Sequence, residues 1–178
     1  MISIISGTNR PGNKTLKVAE LYKSKLEKKA EKVQLFNLED LPKDFCGPSM
    51  YNAEEMSDEL KAIQDKYFLA ADKIIIVSPE YNGCFPGVLK TFLDAISVRE
   101  YKATFSKRKF GLVGVASGKA GNLFGMCSLT IILNHVGSYV FPNKLPISSI
   151  EKCLDEAGNL DTDTNNAIES HIEAFLSF

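Results

Sequence analysis

Residues 74–96, IIIVSPEYNGCFPGVLKTFLDAI, contain the pattern from which the fold of this chain is most directly inferred. The apolar run at 74–77 is short and ends at a Ser-Pro pair, which is typical of a strand that is buried on both faces. Proline, glycine and polar residues then form a turn, and apolar residues at helical spacing follow over 88–96. The stretch therefore predicts a strand, a polar loop and a helix.

The same alternation extends in both directions along the chain. Each further apolar run closes at a Ser, Pro or Asn, and each helical pattern carries apolar residues three or four positions apart. Alternating strands and helices predict right-handed crossovers and a parallel sheet with helices on both faces. We expect one domain over residues 1–178, an α/β doubly wound sheet of five parallel strands in the order 2-1-3-4-5. The other strands are predicted at 2–5, 33–36, 110–115 and 139–141, and the other helices at 16–26, 60–71 (with Ser57 as N-cap), 123–136 and 168–176.

The composition excludes several classes of protein. Hydrophobic residues make up 44% of the chain and charged residues 24%, which favours a packed globular domain over a disordered or fibrous one. Lys and Arg number 21 against 22 Asp and Glu, so the net charge of -1 provides no field that attracts nucleic acid or an anionic membrane. The sequence shows no signal-peptide pattern, and no apolar run reaches the roughly 18 residues of a membrane span. We expect a cytoplasmic location.

The cysteines do not form a metal motif. Cys46, Cys84, Cys127 and Cys153 lie far apart, include no C-x-x-C pair and have only two histidines to complete a site. We expect reduced thiols and no bound metal.

The loop after the first strand is suited to binding phosphate. In this architecture ligands lie at the carboxyl ends of the strands, near the loops after strands one, three and four. The first loop, GTNRPGNKT at 7–15, brings backbone N–H groups, hydroxyls and a guanidinium to the start of a helix. It departs from the phosphate loop of ATPases because Asn13 separates Gly12 from Lys14. An ordinary Gly-Pro turn is the alternative interpretation.

The other two loops are suited to a flat heterocycle. In the loop at 78–87, backbone groups can lie along a ring edge, Tyr81 offers an aromatic wall and Pro86 fixes the start of the next helix. In the loop at 116–122, ASGKAGN, two glycines let the backbone approach a ligand closely.

Together the three loops resemble the NADPH-dependent FMN reductase family of flavodoxin-like flavoproteins, which includes chromate and quinone reductases, over nearly the whole chain. The segment at 79–94 follows the family signature P-E-Y-N-x-x-x-P-x-x-L-K-x-x-x-D. The resemblance implies that the first loop binds the flavin phosphate, through Thr8, Arg10, Asn13 and Thr15, and that the second and third loops line the ribityl chain and the isoalloxazine ring. The implied cofactor-binding residues are Thr8, Asn9, Arg10, Asn13, Lys14, Thr15, Pro79, Glu80, Tyr81, Asn82, Gly83, Ser117, Gly118, Gly121 and Asn122.

Several positions depart from the family pattern. Thr8 and Asn13 stand where serine is usual, and Thr15 where asparagine is common, although all three can form hydrogen bonds with a phosphate. Cys84 occupies a position often held by a small hydroxyl residue. Asn122 replaces the second glycine of the usual pair after strand four.

Other polar residues receive structural interpretations. Lys90 and Asp94 are i,i+4 neighbours and predict a helix-surface ion pair. His135 and His171 are expected to be surface or capping residues. Glu80 is expected to bond backbone N–H groups or a partner subunit, with an acid-base role as the alternative. Cys84 is expected to be a small apolar residue, with a redox-sensitive thiol as the alternative.

The resemblance implies an NAD(P)H-dependent oxidoreductase that passes two electrons from NADPH or NADH through bound FMN to a quinone, free flavin, azo dye or metal oxyanion. Hydride transfer from a nicotinamide to a flavin needs no general base, so no catalytic side chain is predicted. One alternative is a non-enzymatic electron carrier like flavodoxin, which the net charge of -1 disfavours because a carrier needs an acidic docking surface. A flavin-free domain that kept the fold is the other alternative.

Two predicted helices carry more apolar surface than one sheet face can cover. The helix at 123–136 is apolar on nearly every side, and the helix at 88–96 over more than half its circumference. We expect a homodimer or homotetramer that buries this surface, as the resembled family also implies. Burial of both helices in a monomer core is the alternative.

Overall fold

A computed structural model describes residues 1–29, 32–156 and 158–178, and a parallel sheet forms its centre. With strands numbered in chain order, the sheet order 2-1-3-4-5 confirms the predicted order, and a short sixth strand also pairs with the fourth. Every strand pair in the sheet is parallel. The strands are β1 (Ile2–Ser6), β2 (Val33–Asn37), β3 (Lys73–Pro79), β4 (Lys109–Val115), β5 (Tyr139–Val140) and β6 (Leu145–Ile147).

The prediction of five strands is wrong at the outer position beside β4. β5 pairs with the beginning of β4, and β6 pairs with its end, from Val113 to Val115. Pro142 lies between the two short strands and has no N–H group to donate to the ladder. The proline therefore divides the fifth position of the sheet into two strands.

The helices lie where the sequence predicts them, with two additions. The second predicted helix begins after Ser57, whose hydroxyl accepts the N–H of Leu60 at 3.4 Å, and it continues as a π-helical turn over Asp65–Leu69. The additions are two short helices, at Tyr101–Phe105 and Ile150–Cys153. The helices are α1 (Lys14–Lys28), α2 (Asp58–Gln64), α3 (Gly87–Ala95), α4 (Tyr101–Phe105), α5 (Leu123–His135), α6 (Ile150–Cys153) and α7 (Thr162–Ser177).

Side chains alternate along β3 between two hydrophobic cores. Ile74 and Ile76 point into a core shared with α2, α3 and α5, whereas Ile75 and Val77 point into a core shared with α1 and α7. All four side chains are fully buried. Continuous apolar runs form these strands because both faces of the sheet are covered, as predicted.

His171 lies on α7, inside the core beside α1, so its expected place at the surface or at a cap is wrong. Its Nδ1 lies 3.0 Å from the hydroxyl of Tyr22, and its ring meets Phe141 edge-on. Burial lowers the pKa of His171 to about 4. The imidazole is therefore neutral at neutral pH and contributes to the core as a polar aromatic group.

No helix among the described residues is both long enough and apolar enough to cross a membrane.

Candidate functional site

The carboxyl ends of β1, β3 and β4 border a cleft of about 270 Å³. Ligand pockets in proteins commonly enclose about 300 to 1,000 Å³, so this cleft suits a ligand that extends beyond its rim. Its walls come from the loops after the three strands and from α6. The lining residues are Arg10, Pro11, Gly12, Asn13, Lys14, Pro79, Glu80, Tyr81, Val115, Ala116, Ser117, Ile150 and Glu151.

The loop after β1 is fixed at its base by close backbone packing. The N–H of Gly7 donates to the carbonyl of Val77 at 2.8 Å. A Cβ atom at Gly7 would lie 3.0 Å from that carbonyl oxygen and 3.1 Å from the side chain of Leu89, so glycine permits the contact. Thr8 follows and is fully buried, and its hydroxyl accepts the N–H of Arg10 at 3.2 Å. The loop therefore reaches the cleft with a defined shape.

Asn13 caps α1 and does not extend freely into the cleft. Its Oδ1 accepts the N–H of Leu16 at 2.8 Å, which satisfies one of the unpaired N–H groups of the first turn. Its Nδ2 donates to the carbonyl of Arg10 at 2.7 Å and to Glu39 at 2.8 Å. The first turn of α1 contains no acidic residue, so the positive end of the helix dipole is not neutralised within the helix itself.

The loop after β3 forms a tight hairpin. Tyr81 and Cys84 exchange backbone hydrogen bonds of 2.8 and 3.1 Å. Between them Asn82 and Gly83 both have positive φ, 52° and 78°, which is the arrangement that Asn-Gly favours in two-residue hairpin turns. A 2.8 Å hydrogen bond joins the hydroxyls of Tyr81 and Thr8, so the hairpin and the first loop are held together.

Asn122 connects the loop after β4 to the end of β3. It is fully buried with a φ of 60°, and its Nδ2 donates to Pro79 at 2.9 Å and to Ser78 at 3.1 Å. Its backbone N–H donates to Oε2 of Glu80 at 3.2 Å, in keeping with the structural role expected of that carboxylate. Asn122 therefore holds two loops of the cleft together and does not line the cleft.

Glu151 forms the charged contact of the cleft that the sequence did not predict. Its Oε1 accepts a hydrogen bond from Lys14 Nζ at 2.8 Å and another from Ser117 Oγ at 3.0 Å. The contact with Lys14, with the smaller contribution of Ser117, holds the pKa of Glu151 below its usual range. Glu151 is therefore ionised at neutral pH.

The structure brings seven of the implied cofactor-binding residues together in the lining of the cleft. They are Arg10, Asn13, Lys14, Pro79, Glu80, Tyr81 and Ser117. The remaining eight lie in the same three loops but outside the lining: Thr8, Asn9, Thr15, Asn82, Gly83, Gly118, Gly121 and Asn122. Lining residues that the sequence analysis missed are Pro11, Gly12, Val115, Ala116, Ile150 and Glu151.

Ile150 and Glu151 could have been found from the loop that follows the fifth strand position. That loop also ends at the carboxyl edge of the sheet, where ligands lie in this architecture. No residue of that loop is among the implied cofactor-binding residues.

Two other polar groups outside the lining agree with their structural interpretation. Lys90 donates to both carboxylate oxygens of Asp94 at 2.7 Å, forming the predicted i,i+4 pair on α3. His135 is exposed in the last turn of α5. Cys84 is partly exposed in the hairpin, and its redox sensitivity stays a hypothesis.

Comparisons with known proteins agree on one family. A family model described as NADPH-dependent FMN reductase matches residues 1–152. An NADPH azoreductase of Bacillus sp. (strain OY1-2) is 26% identical over 178 residues, which covers 98% of this chain and 91% of that protein. An FMN-dependent NADPH-azoreductase of Staphylococcus saprophyticus is 28% identical over 65% of this chain and 60% of that protein.

A solved structure shares the fold. The flavoenzyme NAD(P)H:(acceptor) oxidoreductase FerB of Paracoccus denitrificans matches with a TM-score of 0.77 at 18% identity, over 99% of this chain and 94% of that chain.

Proposed function

The chain belongs to the NADPH-dependent FMN reductase family, and from that premise we propose that it holds FMN in the cleft at the carboxyl ends of β1, β3 and β4. The family confirms the class of activity and the cofactor predicted from the sequence, an NAD(P)H-dependent FMN oxidoreductase. The observation that carries the proposed site is the convergence of three ligand-type loops on a single cleft.

The α1 side of the cleft suits the phosphate of FMN. Arg10 and Lys14 line the cleft beside the N-terminus of α1, whose first turn has no acidic residue. A helix N-terminus together with cationic side chains is a favourable environment for a phosphate dianion. The donor set of this structure therefore fits a phosphate monoester, and the chain shows no dinucleotide-binding G-x-G-x-x-G, so we propose FMN rather than FAD.

The hairpin side suits a flat ring. Tyr81 lines the cleft, and its hydroxyl forms a hydrogen bond with that of Thr8. Pro79 and Ser117 line the cleft from the ends of β3 and β4. When bound, FMN supplies the two-electron chemistry. The residues of the chain orient the ring and the nicotinamide, and we assign no catalytic side chain because hydride transfer needs no general base.

We propose a quinone, free flavin, azo dye or metal oxyanion as the electron acceptor. The azoreductases among the relatives support the azo dye. An electron carrier without enzymatic activity is less well supported, because the net charge of -1 provides no acidic docking surface. We also propose a cytoplasmic location, as expected from the sequence.

We further propose that two copies of the chain associate through α5. Phe124, Cys127 and Ile131 lie at i, i+3 and i+7 on this helix and are exposed; Phe124 is 70% and Ile131 72% accessible. Three exposed apolar residues in one stripe are typical of a surface that a partner covers. Of the apolar residues of α3 that were expected to be exposed, Val88 is partly exposed, and the other four, Leu89, Phe92, Leu93 and Ile96, are buried within one copy. The proposed association therefore rests on α5.

The cofactor is tested with the purified protein. We expect a yellow protein whose flavin absorbance bleaches when NADPH or NADH is added without oxygen, and whose released flavin has the mass of FMN. Initial rates with a quinone or an azo dye should give parallel double-reciprocal lines, since the nicotinamide leaves before the acceptor enters. A colourless protein that FMN does not restore would contradict the proposed site.

The assembly is tested by light scattering at micromolar concentration. We expect twice the chain mass of 19.6 kDa, or a higher multiple for a tetramer. Ile131→Glu should shift the protein toward the monomer, whereas Lys28→Glu, on the far side of the sheet, should leave the mass unchanged. A wild-type protein that is monomeric and still binds FMN would contradict the proposed association.

A further inference from the structure

One carboxylate oxygen of Glu151 accepts hydrogen bonds from two sides of the cleft. Lys14 donates to it from the first turn of α1, at 2.8 Å, and Ser117 donates from the loop after β4, at 3.0 Å. All three residues line the cleft. Glu151 therefore links α1, the third loop and α6 across the end of the cleft that carries the cations.

This pair is positioned to affect a ligand more than it affects stability. The side chains of Lys14 and Glu151 are 38% and 50% exposed. Exposed ion pairs contribute about 0 to 1 kcal/mol to folding because water screens both charges. The carboxylate of Glu151 lies at the end of the cleft that suits a phosphate. It weakens phosphate binding there by repelling the anion and by pairing with the ammonium group of Lys14.

A second carboxylate provides a natural control. Glu39 accepts a hydrogen bond from Nδ2 of Asn13, the residue next to Lys14, at 2.8 Å. Its partner is a neutral amide, and Glu39 does not belong to the lining of the cleft. Both glutamates therefore contact the start of α1 with the same charge, but Glu151 is paired with the ammonium group of Lys14 and Glu39 with a neutral amide.

We propose that Glu151 competes with the phosphate of FMN for Lys14 and thereby limits how tightly the chain holds its cofactor. A carboxylate and a phosphate present the same kind of charged oxygen to an ammonium group, so occupation of Lys14 by one weakens its contact with the other. This inference rests on the proposed FMN site. It makes Glu151 a residue that sets cofactor affinity, separate from the residues that bind the cofactor.

The test compares FMN with riboflavin, which has the same ring and no phosphate. The whole chain is stripped of flavin, and each flavin is titrated while its fluorescence is followed. Glu151→Gln should lower the Kd of FMN by about twofold to tenfold and leave the Kd of riboflavin unchanged. Glu39→Gln removes the same charge from a residue outside the lining of the cleft and should leave both Kd values within about twofold of the wild type.

A second variant identifies Lys14 as the contested group. In the Lys14→Met background, the further change Glu151→Gln should no longer tighten FMN binding, because no ammonium group is present for the phosphate to contact. Circular dichroism and thermal unfolding check that each variant is folded.

The outcomes separate this inference from the proposed function. If the wild type binds FMN but Glu151→Gln leaves its Kd unchanged or raises it, the competition is wrong and the site stands. The competition is equally wrong if Glu151→Gln lowers the Kd of riboflavin as much as that of FMN, or if Glu39→Gln lowers the Kd of FMN to the same extent. It is also wrong if Glu151→Gln still lowers the Kd of FMN in the Lys14→Met background. If neither protein binds FMN, the proposed site itself is wrong.

Discussion

The hairpin side and the α1 side of the cleft are held by different kinds of contact. On the hairpin side, the fully buried amide of Asn122 donates to the backbone carbonyls of Ser78 and Pro79. On the α1 side, residues 8–15 meet Glu39 and Glu151 through side chains that water reaches. Breaking a buried hydrogen bond leaves a polar group without water, whereas an exposed ion pair exchanges partners at little cost. The hairpin side is therefore a fixed frame, and the α1 side can respond to an arriving anion.

The largest expected effect comes from breaking the frame. Asn122→Ala removes a buried amide that satisfies the carbonyls of Ser78 and Pro79, and it places alanine at a φ of 60°. We expect the free energy of unfolding to fall by about 3 kcal/mol in urea denaturation. Glycine adopts a positive φ without strain, so Asn122→Gly should lower the free energy of unfolding by less than Asn122→Ala does. A loss below about 1 kcal/mol in Asn122→Ala would contradict the distinction between the two sides.

Arg10→Ala tests the α1 side through binding. Arg10 is exposed and lines the cleft, so its removal should barely change the free energy of unfolding. The binding free energy of FMN should weaken by about 1.5 to 3 kcal/mol, the range for a charge-assisted hydrogen bond. Lys28→Ala removes a cation from the other end of α1 and serves as the control. Equal FMN affinity in Arg10→Ala and wild type would remove Arg10 from the phosphate site.

Tyr81→Ala tests whether the fixed frame positions the reacting rings. Tyr81 is half-buried at the edge of the hairpin, so we expect little loss of stability. Reduction of the flavin by NADPH, measured by anaerobic stopped flow, should slow about tenfold, which corresponds to about 1.4 kcal/mol. Tyr81→Phe keeps the ring and loses only the hydrogen bond to Thr8, so its rate of flavin reduction should be close to that of the wild type. A larger loss of stability than of rate would make Tyr81 a structural residue.

Glu151→Gln should have the smallest effect on stability. We expect the free energy of unfolding to change by less than about 0.5 kcal/mol at pH 7, since the pair with Lys14 is exposed. The sign of the pH dependence follows from the lowered pKa of Glu151. Any stability that this carboxylate adds is present above the ordinary pKa of glutamate, and it is lost as the pH falls through the lowered pKa. A change above 1 kcal/mol would place Glu151 in the fixed frame instead.

The sequence predicts the frame better than it predicts the charged side. The strands could be predicted because runs such as Ile74–Val77 are buried on both faces, and the Asn82-Gly83 turn because few residues accept positive φ. The contact between Lys14 and Glu151 joins residues that are 137 positions apart. Such a pair depends on how α1 and α6 meet in three dimensions, and no local pattern records it.

The incorrect predictions have the same origin. Apolar spacing on α3 shows how many sides of a helix avoid water, but it does not show whether Phe92 is covered by its own chain or by a partner. His171 has a polar side chain that a sequence places at the surface, yet a hydrogen bond to Tyr22 allows it to enter the core. In both cases the burial of the side chain depends on its neighbours in three dimensions, which the local sequence does not record.

The position of β1 between β2 and β3 affects the order in which the chain can fold during synthesis. Ser6 pairs with Asn37 on one side and with Val77 on the other, so β1 must wait for β3 before its second edge is covered. Met1 and Asp72, which meet at the start of these strands, are 71 residues apart. At a ribosomal speed of about 5 to 20 residues per second, β1 therefore presents an edge of unpaired backbone N–H and C=O groups for on the order of ten seconds. During that interval the edge that β3 later covers is open to pairing with a strand of another chain.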